Sequence, residues 1–121
     1  AERLSLHAQK DMTTLVKNDQ SLTVEGGNRT LNILAGDETK TIKQGNQTIK
    51  VHKTFSLDAG EKLELICGKA SITLTEDGTI KINGISINNL AETDYSVETK
   101  TLKANGSEEH VLTGKIIKLN P

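Results

Sequence analysis

A short turn recurs every nine residues in the first half of the chain, and this period limits the folds open to it. Gly27-Asn28-Arg29-Thr30 returns as Gly36-Asp37-Glu38-Thr39 and again as Gly45-Asn46-Gln47-Thr48. Set in columns, Asn18, Gly27, Gly36 and Gly45 share one position, and Asp19, Asn28, Asp37 and Asn46 share the next. A hydroxyl column follows at Ser21, Thr30, Thr39 and Thr48. Two apolar columns complete the block: Leu22, Leu31, Lys40 and Ile49, then Val24, Ile33, Ile42 and Val51. Four copies at a fixed period constitute an internal repeat. Lys40 departs from it, a charge in an inward column that must escape at a corner or be paired.

Beyond the repeat, apolar residues still alternate with polar ones. Leu63/Leu65, Ile72/Leu74, Ile80/Ile82 and Ile85/Ile87 are i, i+2 pairs, the spacing that places both residues on one face of a strand. A turn-then-alternate pattern persists after Gly60, Gly78 and Gly84. The apolar phase flips from even to odd between Ile82 and Ile85, with Gly84 at the flip, where a glycine can absorb a bend. Helical periodicity is weak and confined to residues 2–16. The only proline is Pro121, so nothing in the interior breaks the chain into domains. The expected class is all-β. Residues 1–17 are a lead-in segment or the first strands, and residues 18–121 form one repetitive body ending in a strand over 114–121.

Two architectures satisfy the repeat. Gly-Asn between alternating runs is a type II′ hairpin signal. A two-residue loop at Gly27-Asn28 sets Val24 opposite Leu31, and one at Gly45-Asn46 sets Ile42 opposite Ile49, which keeps the apolar sets on one face. An antiparallel meander is therefore permitted. The alternative turns a corner at each Gly-Asn and lays the next strand on a new face of a prism. A single-chain β-helix needs coils of roughly 20 residues or more, whereas nine residues make about one strand and one corner. The period thus suits three intertwined chains, each supplying one strand per face in turn.

Composition favours the shared prism. Apolar residues are 34% of the chain, and one Phe, one Tyr and no Trp are left to build a core. Burial between chains removes the need for a second, aromatic-rich layer over a meander. The charge balance excludes other classes. The net charge is −1 with acids and bases interspersed, so no basic stripe faces a phosphate backbone and nucleic-acid binding is not expected. No apolar run approaches the ~20 residues that span a bilayer. The first residues lack an apolar signal-peptide core and an initiator Met, which points to a piece of a longer protein. A lone cysteine, Cys67, excludes an intrachain disulfide and suits a reducing compartment of synthesis.

No catalytic, cofactor or metal site is expected. His7, His52 and His110 are the only histidines. Three inward imidazoles on a threefold axis would make a metal site, but His52 falls in an outward column and His7 is out of phase with Leu4 and Leu6. Cys67 is in phase with Leu63 and Leu65 and reads as a small inward filler. The carboxylate pairs Glu76/Asp77 and Glu108/Glu109 have no third acid or sugar-stacking aromatic beside them, so solvated turns fit better than glycosidase chemistry. Asp77-Gly78 reads as a corner rather than a calcium loop, since EF-hand spacing is missing.

Three stretches together carry a family resemblance: LSLHAQKDMTTLV over residues 4–16, the Gly-Asn-x-Thr blocks, and LELICGKASITLTEDGTIKINGISI over residues 63–87. They resemble the C-terminal β-helix of the VgrG spike family of bacterial type VI secretion systems, and GKIIKLNP at residues 114–121 is compatible with its terminal strands. The resemblance implies a homotrimeric, intertwined triple-stranded β-helix, needle-like and similar to the needle of contractile phage tails. It also implies that a phage-hub-like N-terminal region, which joins the secretion tube, lies outside this chain. In that family the needle is made in the bacterial cytoplasm, driven through a target-cell envelope, and carries effectors or a PAAR-type tip protein. Contact with the target membrane is transient, and the shaft requires no enzyme chemistry. With strands ~4.8 Å apart and about a dozen per chain, the shaft would be on the order of 50–60 Å long. The last strand, Lys115, Ile116, Ile117, Lys118, Leu119, Asn120 and Pro121, is the candidate docking surface for a tip protein or effector. Alternatives that stay open are a phage-type tail spike shaft, a monomeric β-meander adhesin or binding domain, and a small single-chain β-helix acting on polysaccharide.

Overall fold

A computed structural model describes residues 2–120. The nine-residue period is visible in its backbone: Gly27, Gly36 and Gly45 adopt φ of 100°, 106° and 103°. These angles lie beyond the left-handed helical well near +57°, in a region open essentially to glycine. Asn18 occupies the same column but takes a different path, because no non-glycine among the described residues has positive φ. The chain divides into two units, Ala1–Lys50 and Val51–Pro121.

In the first unit the chain bends at residues 9–10, 17–18, 25–27, 34–36 and 43–45, every eight or nine residues, and runs without a bend in between. Among its described residues there is no strand and no backbone–backbone hydrogen bond within the chain. Backbone donors and acceptors left unpaired in this way must bond to water or to another chain. The hairpins permitted at Gly27-Asn28 and Gly45-Asn46 do not form. A type II′ loop holds its first central residue near +60°, and these glycines sit about 40° beyond that.

The second unit contains one sheet. Strands β1 (Lys62–Cys67), β2 (Ala70–Thr75) and β3 (Ile80–Asn83) pair antiparallel in the order β1-β2-β3. The β1–β2 loop is Gly68-Lys69, with φ of 55° at Gly68 and no positive φ at Lys69, the pattern of a type II′ hairpin. The β2–β3 loop is a type I turn closed by a bulge. The Gly78 N–H donates to the Thr75 carbonyl at 3.0 Å, the Thr75 N–H donates to the Thr79 carbonyl at 3.1 Å, and Gly78 takes φ of 89°. The prism grammar expected over residues 63–87 is therefore corrected: here three consecutive strands of one chain pair with one another. Asp77-Gly78 is the tip of a hairpin rather than a prism corner, because the alternation on either side of it supplies complementary partners within the same chain.

Cross-strand partners assign the two faces. Leu63↔Leu74↔Ile80, Leu65↔Ile72↔Ile82 and Cys67↔Ala70 form three apolar rows on one face. Lys62↔Thr75, Glu64↔Thr73↔Lys81 and Ile66↔Ser71↔Asn83 lie on the other. Lys62 and Glu64 pair there at 2.9 Å, an exposed ion pair of little energetic weight. After β3 the chain bends at Ile85, beside Gly84 where the apolar phase flips, and then at residues 92–93, 100, 107–108 and 115. Those later bends fall every seven or eight residues, in chain where the sequence displays no repeat.

No described residue is buried. The chain exposes 14,030 Å², whereas a compact monomer of 13.1 kDa would expose about 6,400 Å².

Candidate functional site

The excess of roughly 7,600 Å² over a compact monomer exceeds the total of a standard protein–protein interface. It is made by regular positions. In the repeat, Val24, Ile33 and Ile42 are 47%, 46% and 44% exposed, so each turns one side toward the chain and leaves the other open. Leu34, one residue past Ile33 and at the start of a bend, is 99% exposed. The contrast between Ile33 and Leu34 separates an inward from an outward position, as strand alternation requires. Lys40 is exposed and has no ion-pair partner among the described residues.

On the sheet, Ile72 and Leu74 of the central strand are 39% and 38% exposed although both are flanked by strands on each side. What they lack is a layer over the apolar face. An open groove of about 460 Å³ crosses part of this face, lined by Leu65, Cys67, Ala70, Ile72, Ile82 and Ile87 among others. Cys67 takes the phase expected for it, in the row with Ala70, and its thiol is free and exposed in the single chain.

The polar groups that sequence reading singles out stay apart. His7, His52 and His110 are all exposed, and no three His, Cys, Asp or Glu side chains among the described residues come together as metal ligands. Asp77 has a structural duty: its Oδ1 accepts from the Thr75 hydroxyl at 2.6 Å and from the Thr79 N–H at 3.1 Å. These two bonds, the hydroxyl's first, hold the Asp77 carboxyl below the usual carboxylate range. Glu108 lies in the bend at 107–108, and Glu109 follows it. Of the candidate docking strand, Lys115 lies at a bend, Ile116, Ile117 and Leu119 are exposed between and beyond the two lysines, and Pro121 lies outside the described residues.

The Gly68-Lys69 hairpin escaped sequence reading although a signal was present. Two alternating runs, Leu63/Leu65/Cys67 and Ala70/Ile72/Leu74, are separated by a Gly-x pair, the II′ pattern. The nine-residue block presents the same Gly-x signal at Gly27-Asn28 and Gly45-Asn46, where no hairpin forms.

The regular bends, the unpaired backbone and the uncovered apolar positions leave backbone and apolar groups without partners inside the chain. Residues 1–90 match the family model of the bacteriophage T4 gp5 C-terminal trimerisation domain. The chain is also 30% identical, over 133 aligned positions and 95% of its length, to the type VI secretion system spike protein VgrG1a of Pseudomonas aeruginosa. It spans about one fifth of that curated relative's length, which is 20% covered. The resemblance to VgrG spikes, carried jointly by residues 4–16, the Gly-Asn-x-Thr blocks and residues 63–87, is upheld by both matches, and the chain belongs to the family of gp5-type C-terminal trimerisation domains.

Proposed function

We propose that this chain is the β-helical shaft of a homotrimeric, non-enzymatic spike in a type VI secretion apparatus. One observation carries the reading: a chain matched to a trimerisation domain buries none of its described residues alone and exposes about twice the surface of a compact protein of its mass. Three chains that intertwine on either side of the 62–83 sheet, through residues 18–61 and 84–121, would supply ladder partners for the unpaired backbone and cover for the half-exposed Val24, Ile33 and Ile42. The bend at residues 9–10, which keeps the spacing of the later ones, supports reading residues 1–17 as first strands of the same body.

The mechanical role follows from that architecture. In a closed prism each chain bonds to its neighbours along the length, so bending or stretching requires many ladder bonds to fail together. A rod of this kind transmits an axial push through a target-cell envelope without chemistry at any residue. The spike would be made in the cytoplasm and exported by the apparatus, joined to the tube through sequence preceding this segment. A PAAR-type tip protein or an effector would dock on Lys115, Ile116, Ile117, Lys118, Leu119, Asn120 and Pro121. The sheet over 62–83 favours a meander locally, but a monomeric meander adhesin would need a second layer over it.

Sedimentation of the purified chain tests the reading. Three chains of 13.1 kDa give about 39 kDa. That mass, held over a hundredfold dilution, is the expected result; a monodisperse mass of 13.1 kDa overturns the proposal.

A further inference from the structure

We infer that the apolar face of the β1-β2-β3 sheet is covered by the same face of two further copies of this chain, each copy contributing one complete antiparallel wall. The inference deepens the trimer reading and rests on it. In a shaft of intertwined strands, neighbouring strands on each face come from different chains. Over residues 62–83 that arrangement is closed off. The loops at Gly68-Lys69 and at residues 76–79 are too short to admit another strand between β1, β2 and β3. The ladder bonds between these strands are already made within one chain. Another copy can therefore meet this segment only through the outer edges of β1 and β3 or through a face.

The two faces differ in what they can accept. The rows Leu63–Leu74–Ile80 and Leu65–Ile72–Ile82 present six large aliphatic side chains, while the opposite face carries Lys62, Glu64, Thr73 and Lys81. An uncovered apolar face of this extent marks an interaction site. The trimerisation-domain match runs over residues 1–90 and so includes the whole sheet, which makes this face continuous with the segment that brings copies together. Sheets packed face to face lie about 10 Å apart. The small pair Cys67 and Ala70 forms the row beside the β1–β2 loop, where three walls can approach more closely than at the Leu and Ile rows. The segment thus acts as a collar in which copies meet through side chains, not exchanged strands.

Cys67 is a native reporter for this face. In the intact chain, a thiol reagent should modify Cys67 in the native trimer roughly 100-fold more slowly than in denaturant, since only local opening exposes it. Reaction at the unfolded-chain rate in a sample that sediments as a trimer overturns the inference while leaving the trimer intact. Two variants of the central strand supply the second readout. Ile72→Asp, on the apolar face, should lose the trimer mass at a concentration where wild type and Thr73→Asp, on the opposite face, keep it. An Ile72→Asp protein that remains trimeric also overturns the inference and assigns the cover to another protein or to the chain's own later segment. If Ile72→Asp simply unfolds, the thiol measurement on wild type still decides. A wild-type monomer overturns both this inference and the trimer reading.

Discussion

Substituting the repeat glycines isolates a backbone requirement from packing. Gly27, Gly36 and Gly45 have φ of 100–106°, and a Cβ built at any of them meets no atom within 4 Å. Alanine there is therefore penalised by backbone conformation within the chain, at about 1–3 kcal/mol per residue. In a trimer each substitution occurs three times, so Gly36→Ala should remove roughly 3–9 kcal/mol from the assembly. With m near 1–3 kcal/mol/M in urea, about 2 kcal/mol per chain lowers the unfolding midpoint by on the order of 1 M. The neighbour Gly26 is an internal control. Its surroundings are equally open within 4 Å, but its φ is not positive. Gly26→Ala should be neutral or stabilise by about 0.4–1 kcal/mol through the unfolded chain. Urea unfolding followed by circular dichroism at one fixed protein concentration compares the four variants, because trimer unfolding depends on concentration. If Gly27→Ala, Gly36→Ala and Gly45→Ala unfold at the same midpoint as Gly26→Ala, the glycine column does not set the corner geometry and the reasoning fails.

The adjacent pair Ile33 and Leu34 should respond oppositely to charge: Ile33→Asp buries an unpaired carboxylate at several kcal/mol and should sediment near the monomer mass, while Leu34→Asp should keep the mass of wild type. For Asp77, whose folded pKa lies below its unfolded value, the stabilising contribution is present above the unfolded pKa near 4 and is lost as pH falls through the lower folded value. Thr75→Val, which removes the leading hydrogen bond, should flatten the loss of thermal stability between pH 5 and 2, read by circular dichroism melts; an unchanged acid limb would count against the assignment. A Cβ at Gly106 would run into the Glu109 backbone carbonyl, so Gly106→Ala should cost about 1–3 kcal/mol by overpacking and speed amide exchange around residues 105–110 without touching the 62–83 sheet. Removing residues 115–121 should leave the trimer mass proportionate and abolish capture of a PAAR-type tip protein in a titration; retained binding would move the docking surface elsewhere.

The turn chemistry and the alternation were legible because both act over a few residues. Gly27, Gly36 and Gly45 share one backbone conformation because each stands at the same step of the same nine-residue block. Cys67 falls in phase with Leu63 and Leu65 because strand alternation needs nothing beyond the pleat. The family resemblance was legible for the same reason, since it rests on recurring local motifs that span the matched residues 1–90. Of the later bends, those at residues 107–108 and 115 follow Gly106 and Gly114, but those at residues 92–93 and 100 have no glycine beside them, and only the backbone reveals the common spacing.

By itself the sequence determined an all-β chain with a fixed corner period, apolar columns and too few large side chains to enclose a core alone. Only the tertiary structure decided which strands pair. At Gly27-Asn28 and Gly68-Lys69 the sequence offers the same Gly-x between alternating runs, yet the first is an open bend at φ 100° and the second a closed hairpin at φ 55°. The physical reason is that a ladder bond goes to whichever carbonyl lies within reach in space, and alternation serves a partner from the same chain and one from another chain equally well.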